Sequence, residues 1–282
     1  MIITMFPGQG SQVQGMGKEL FQAYPLETAF ASDLLGYDVV SLCLNDKEQR
    51  LNATQYTQPL IYLVSALAFL EAKQNPDAVI GHSLGLYTAL FATGVFTFVQ
   101  GLAIVKERAR LMAQAQNGSM LAVIGEHCDR LADLLITEGF NDVDIANDNT
   151  YTQRVLSGKK DRLAALAPLL HKAHFRIVPL AVSGAFHSRY MKDVAHSFFK
   201  FLSQYDFAEP KIPVISSTHG GFISSSHLLE ELTYQLVQPV RWRQTIVSLI
   251  NKYPQAHFQE IGPGHVLSQL NQQIMAYKKE LG

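Results

Sequence analysis

Short apolar runs that end in glycine-bearing loops punctuate the chain. IITMF (2–6) runs into Pro7-Gly8, AVI (78–80) into Gly81, and HFQEI (257–261) into Gly262-Pro263-Gly264, with helix-patterned stretches after them. An apolar run, a glycine turn and a helix in repetition predict an α/β fold with a largely parallel sheet. Sites in such sheets gather at the carboxyl ends of the strands, where these loops fall.

The middle of the chain has a different rhythm. SMLAVIG (119–125) reads as a strand, CDRLADLLITEG (128–139) as a helix, DVDIAN (142–147) and TQRVLSG (152–158) as paired strands, KDRLAALAPLLHKA (160–173) as a helix and FRIVPLAV (175–182) as a strand. That βαββαβ order is ferredoxin-like. It predicts a small domain at 119–180 inserted into a main domain formed by 1–118 and 181–282.

Composition narrows the class. With 48% hydrophobic and 17% charged residues in 282, the chain is an ordinary globular protein. A formal net charge of -1 argues against nucleic acid as a partner. Cys43 and Cys128 lie far apart and fit no metal spacing, so reduced thiols and no metal are expected. The five residues before Phe6-Pro7-Gly8 hold no basic region of a secretory signal, and no apolar window has transmembrane length. A cytoplasmic protein without a membrane partner is the expectation.

The chemistry begins at AVIGHSLGLYTALFATG (78–94). Ser83 sits in Gly81-His82-Ser83-Leu84-Gly85, after a strand and before a helix. A G-x-S-x-G run in that setting suggests a nucleophile elbow, although Gly-Ser-Gly combinations also make ordinary turns. A serine hydroxyl needs a positioned base. His187 in LAVSGAFHSRY and His265 in IGPGHVL both fall at strand ends and compete for that role, whereas His82 is expected to point away.

Arg108 lies on the helix-patterned FVQGLAIVKERARLMAQAQ with Ile104, Val105, Leu111 and Met112 at its i-4, i-3, i+3 and i+4 positions. An arginine centred on an apolar stripe needs a partner, because an unpaired buried guanidinium is costly. Either a structural ion pair or a ligand carboxylate would serve. For an oxyanion formed at Ser83, the N–H of Leu84 is the expected first donor, and FPGQGSQ (6–12) can supply a second. That loop lacks the Gly-Lys-Ser/Thr of a phosphate-binding loop.

FPGQGSQVQGMG, TQPLIYL, GHSLG, KERARLM, SGAFHS and EIGPGHVL together resemble, in order and spacing, the malonyl-CoA:acyl carrier protein transacylases. The resemblance covers nearly the whole chain and extends to the acyltransferase domains of polyketide synthases. The compact length and the chain's own Met1 are similar to free-standing acyltransferases that serve such synthases in trans. It implies an α/β-hydrolase-like main domain with the ferredoxin-like insert. It implies Ser83 as the acyl-carrying nucleophile and His187 as its base, oriented by a backbone carbonyl near Gln238, and it demotes His265, which occupies a position often held by Lys in the family. The oxyanion donors would be the Gln9 and Leu84 amides, and Gln58 would line the pocket. Arg108 would pair with the free carboxylate of the malonyl group, and the Phe186 ring would disfavour an α-methyl branch, a discrimination of about 10- to 200-fold.

No bound cofactor is implied: malonyl-CoA is the substrate, and the phosphopantetheine is carried by the partner, a holo acyl carrier protein. Polyketide synthase modules are further expected partners, and the chain is expected to be a monomer. Leu86 stands where the family usually has glutamate, which predicts a change in pocket polarity. Arg110, Lys106, Arg189, Arg241 and Arg243 are candidates for docking an acidic carrier protein. The rival readings are a proofreading acyl hydrolase acting on carrier proteins, a non-catalytic docking subunit, and an unrelated lipase. The intact Ser83, His187 and Arg108 set speaks against the docking subunit, and the FPGQGSQ segment speaks against the lipase.

Overall fold

The computed structural model describes residues 1–281. Among them, the strands β1 (Ile2–Phe6), β2 (Ala78–Gly81), β3 (Gly118–Ile124), β4 (Asp144–Asp148), β5 (Gln153–Lys159), β6 (Arg176–Pro179), β7 (Val214–Ile215) and β8 (His257–Glu260) form two four-stranded sheets. One runs β7-β2-β1-β8 and is parallel throughout, as the apolar runs predict. The other runs β4-β5-β3-β6 and is antiparallel.

The burial pattern explains why β1 and β2 carry so few polar residues. Ile3, Met5, Ala78 and Ile80 pack under Trp242, Ile246, Leu267 and Ile274, while Phe6 and Val79 enter a larger core with the helix Thr54–Ala72. Helices therefore cover both faces of β1 and β2, while the edge strand β8 keeps exposed and half-buried polar positions. Each sheet's strands alternate sides. On β3, Leu121 and Val123 face the helices Leu131–Thr137 and Lys160–Lys172, whereas Met120 and Ala122 join the main core. The antiparallel sheet thus lends one face to a core of its own and the other to the boundary between the sheets.

One strand is shorter than its sequence pattern. FRIVPLAV contributes only Arg176–Pro179 to the ladder. Proline at 179 removes a donor, and a tight turn with Val182 N–H donating to Leu180 O at 2.8 Å peels the chain away. The released Leu180 and Val182 line the cleft between the two sheets.

The antiparallel sheet is also tied to the segment before the helix Trp242–Lys252. Val240 N–H donates to Ala146 O and Asp148 N–H to Val240 O, both at 2.8 Å. Asp148 accepts from Arg243 at 2.8 Å, fixing the end of β4 against the helix Trp242–Lys252. Among the described residues, no helix is long and apolar enough to cross a membrane.

Candidate active site

The turn after β2 is held by two close backbone approaches. A Cβ on Gly81 would lie 2.0 Å from the Gly85 carbonyl carbon, and one on Gly85 would lie 2.0 Å from Phe6 O, so both positions admit only glycine. The chain between them turns so sharply that Ser83 adopts φ 51, in the left-handed region. The helix Gly85–Ala92 follows at once. Ser83 Oγ is thereby raised at the carboxyl end of a parallel strand, as a nucleophile elbow requires.

His187 Nε2 lies 2.7 Å from Ser83 Oγ. On its other side, His187 Nδ1 is 2.8 Å from Gln235 O and 3.2 Å from Gln238 O, so Nδ1 carries the proton and Nε2 is free to accept one. The sequence reading placed the orienting carbonyl at Gln238; the shorter contact belongs to Gln235. His187 also adopts a left-handed conformation, φ 56. Its pKa is pushed down to about 3, first by burial and then by the charge of Arg108. The imidazole is accordingly neutral in the resting site.

The other histidines fall elsewhere. His82 turns its ring to Asn149 Oδ1, 3.1 Å away, and packs against Trp242. His265 is exposed and does not line the cleft.

Arg108 is 1% exposed on the helix Phe98–Ala113, whose start is fixed by a capping box between Thr97 and Gln100. Nη1 donates to Gln58 Oε1 at 2.6 Å, and Nη2 donates to Ser83 Oγ at 3.2 Å and Gln235 Oε1 at 3.3 Å. The guanidinium lies over the Tyr87 ring at 5.2 Å. None of the ion pairs among the described residues includes Arg108. The structural ion pair that its apolar stripe permitted is therefore absent, and burial alone draws its pKa below the ordinary value against the influence of Tyr87.

Gln235 escaped the sequence reading although its signal was present. It continues the stripe Leu228, Leu232, Leu236 on the helix Leu228–Tyr234 and its C-cap, a polar residue on an apolar face as Arg108 is. It is 1% exposed, and its Nε2 donates to Ser83 O at 3.0 Å. One residue thus touches Ser83, His187 and Arg108.

Gln9 and Gln58 complete the wall. Gln58 Nε2 lies 3.4 Å from Gln9 Oε1, and Gln9 Nε2 donates to Thr54 Oγ1 at 3.1 Å. The backbone N–H groups of Gln9 and Leu84 donate to no other group among the described residues, which leaves both available to an oxyanion. Phe186, 4% exposed, lines the same cleft of about 240 Å³ with Met120 and Val182. Leu86 does not line it: the residue is 1% exposed in the apolar core, so the change in pocket polarity expected at that position does not fall on the cleft wall. No group of three or more His, Cys, Asp or Glu side chains suited to a metal occurs among the described residues, and Cys43 and Cys128 are free and buried.

The candidate docking cations are mostly engaged. Arg110 pairs with Glu107, Arg189 with Asp144 and Arg243 with Asp148, while Lys106 donates to Leu34 O at 2.7 Å. Of the five, Arg241 alone is exposed without a side-chain partner among the described residues.

Comparison with known proteins bears on the family and the fold. Residues 4–280 match the acyl transferase domain family. The polyketide biosynthesis malonyl CoA-acyl carrier protein transacylase BaeC of Bacillus velezensis is 42% identical over 280 residues, covering 97% of this chain and 96% of its own. The crystal structure of a malonyl CoA-acyl carrier protein transacylase from Burkholderia pseudomallei superposes with a TM-score of 0.94 at 38% identity, covering 98% of both chains. A malonyl-transacylase solved in complex with its type II polyketide synthase acyl-carrier protein matches with a TM-score of 0.88 at 32% identity, covering 98% of this chain and 93% of that one. With the acyl transferase domain spanning its length and such relatives matching from end to end, the chain belongs to the malonyl-CoA:acyl carrier protein transacylase family.

Proposed function

We propose that this protein transfers a malonyl group from malonyl-CoA to the phosphopantetheine thiol of an acyl carrier protein, acting in trans for a polyketide synthase. The observation that carries this reading is the buried Arg108: a guanidinium without a carboxylate partner, 3.2 Å from the nucleophile oxygen. An acyl group ending in a carboxylate fills that need, and an acetyl group does not.

The reaction runs in two halves. The Ser83 hydroxyl proton passes to His187 Nε2 as Oγ bonds to the thioester carbon, and the Gln9 and Leu84 amides hold the oxyanion. The C–S bond then breaks, and the departing CoA thiolate takes the proton from His187. In the second half, His187 accepts the proton of the phosphopantetheine thiol as the sulfur bonds to the acyl carbon, and it returns that proton to Ser83 Oγ as the C–O bond breaks, which restores the resting serine. Gln235 and Gln238 keep the imidazole in the working tautomer through carbonyls. Phe186 restricts branching beside the carboxylate. Residues 119–180 act as a small domain that walls the cleft against the main domain of 1–118 and 181–282.

A proofreading hydrolase has no use for a cation dedicated to a substrate carboxylate, so Arg108 disfavours it. Incubation with malonyl-CoA and holo carrier protein distinguishes the two readings by mass spectrometry. Malonyl on the carrier thiol supports transfer; free malonate, with the carrier left unacylated, refutes it.

A further inference from the structure

Ser83 Oγ is touched by two groups that cannot both be positive without penalty. His187 Nε2 lies 2.7 Å from it and Arg108 Nη2 lies 3.2 Å from it. When Ser83 attacks, its proton moves to Nε2 and the imidazole becomes a cation. The neighbouring guanidinium is already one, and its partners Gln58 and Gln235 are neutral carboxamides that orient it without compensating its charge. Like charges at this range in a buried site oppose the proton transfer. The N–H donated to Oγ further draws electron density from the attacking oxygen.

We propose that Arg108 is an electrostatic lock on the Ser83–His187 pair, closed while its guanidinium is uncompensated and opened when a carboxylate, ordinarily the substrate's own, pairs with it. The inference rests on the acyl-enzyme reading above and adds how that site is regulated. Arg108's charge is, after burial, the main influence holding the His187 pKa down, which agrees in direction. Selection against acyl groups without a carboxylate then appears in the rate of Ser83 acylation as well as in affinity. An acetyl thioester occupies the cleft and meets a base that takes the proton about tenfold more slowly.

The test uses phenylmethanesulfonyl fluoride, an uncharged reagent. Oγ bonds to sulfur as the hydroxyl proton passes to His187, fluoride leaves the sulfur, and the proton departs with it as HF. Adduct formation on the whole protein is followed by mass spectrometry, with Ser83→Ala as the blank and chloride added to match ionic strength. The lock predicts that acetate, supplied separately, accelerates labelling of the wild type saturably by roughly tenfold, the scale of removing one close like charge. It also predicts that Arg108→Gln is labelled about as much faster without acetate and does not respond to it. Should Arg108→Gln fail to fold, the acetate response of the wild type decides alone. If acetate leaves Ser83 labelling unchanged or slows it, the lock is overturned while the acyl-enzyme reading stands. If Ser83 is not labelled under any condition, both fail.

Discussion

Gln235 O lies 2.8 Å from His187 Nδ1, in the place where many serine enzymes put a carboxylate. A carbonyl fixes the tautomer and leaves the site without a negative charge. That matters here because an acidic side chain would compete for Arg108.

Gln235→Ala keeps the carbonyl and removes the contacts to Arg108 and the Ser83 carbonyl. Malonyl loading is expected to fall about tenfold, the scale of one hydrogen bond to a charged group. His187→Ala should cost about 10²- to 10⁴-fold, as loss of a general base does. Single-turnover loading by rapid quench measures both, and equal losses would show that the Gln235 side chain does more than position Arg108.

The protonation of His187 couples the site to stability. Its folded-state pKa of about 3 lies below the ordinary 6.5. Between these values the folded protein binds fewer protons than the unfolded chain, so this group makes stability rise with pH across that window. Its contribution is complete above about pH 6.5 and is lost as the pH falls towards 3. Replacing His187 with Asn should flatten that dependence. Urea midpoints at several pH values test it, and an unchanged slope in the variant would refute the assignment.

The elbow is sterically exact and locally strained. Gly85→Ala drives a Cβ to within 2.0 Å of Phe6 O, and a loss of more than about 4 kcal/mol is expected. At Ser83, φ 51 favours glycine, so Ser83→Gly should be about 1 kcal/mol more stable than Ser83→Ala although both are inactive. Denaturant unfolding of the two variants checks the difference.

A groove lined by His187, Arg189, Lys192 and Gln238 opens on the other side of the base. Lys192 and Arg241 are exposed and without side-chain partners among the described residues. Reversing them to Glu is expected to raise the KM for an acidic carrier protein several-fold while leaving malonyl loading unchanged. Arg243→Glu should instead destabilise the fold, since it breaks the Asp148 pair that ties β4 to the helix Trp242–Lys252. Steady-state transfer and thermal unfolding separate these outcomes.

Much of this architecture is legible in the chain. The apolar runs before glycine turns mark β1 and β2 because strands covered on both faces have few polar positions, whereas the edge strand β8, which reads HFQE, is marked by the glycine turn that follows it. The elbow is legible because G-x-S-x-G states a steric requirement, and Arg108 because a cation on an apolar stripe is anomalous. The short β7 carries no such pattern, and its two residues are fixed by pairing with β2. The end of β6 was hidden because the apolar run continues past the ladder to serve the cleft wall. The ion pairs of Arg189 and Arg243 depend on partners 45 and 95 positions away in sequence, which no local pattern reveals. Gln235 could have been found by the argument that found Arg108.

The central claim is that Ser83 carries the malonyl group. Brief incubation with malonyl-CoA alone, acid quench, and intact-protein mass spectrometry with peptide mapping tests it directly. The account predicts one malonyl adduct, located on Ser83, absent from Ser83→Ala and discharged by holo carrier protein. Transfer to the carrier by Ser83→Ala at the wild-type rate would contradict it.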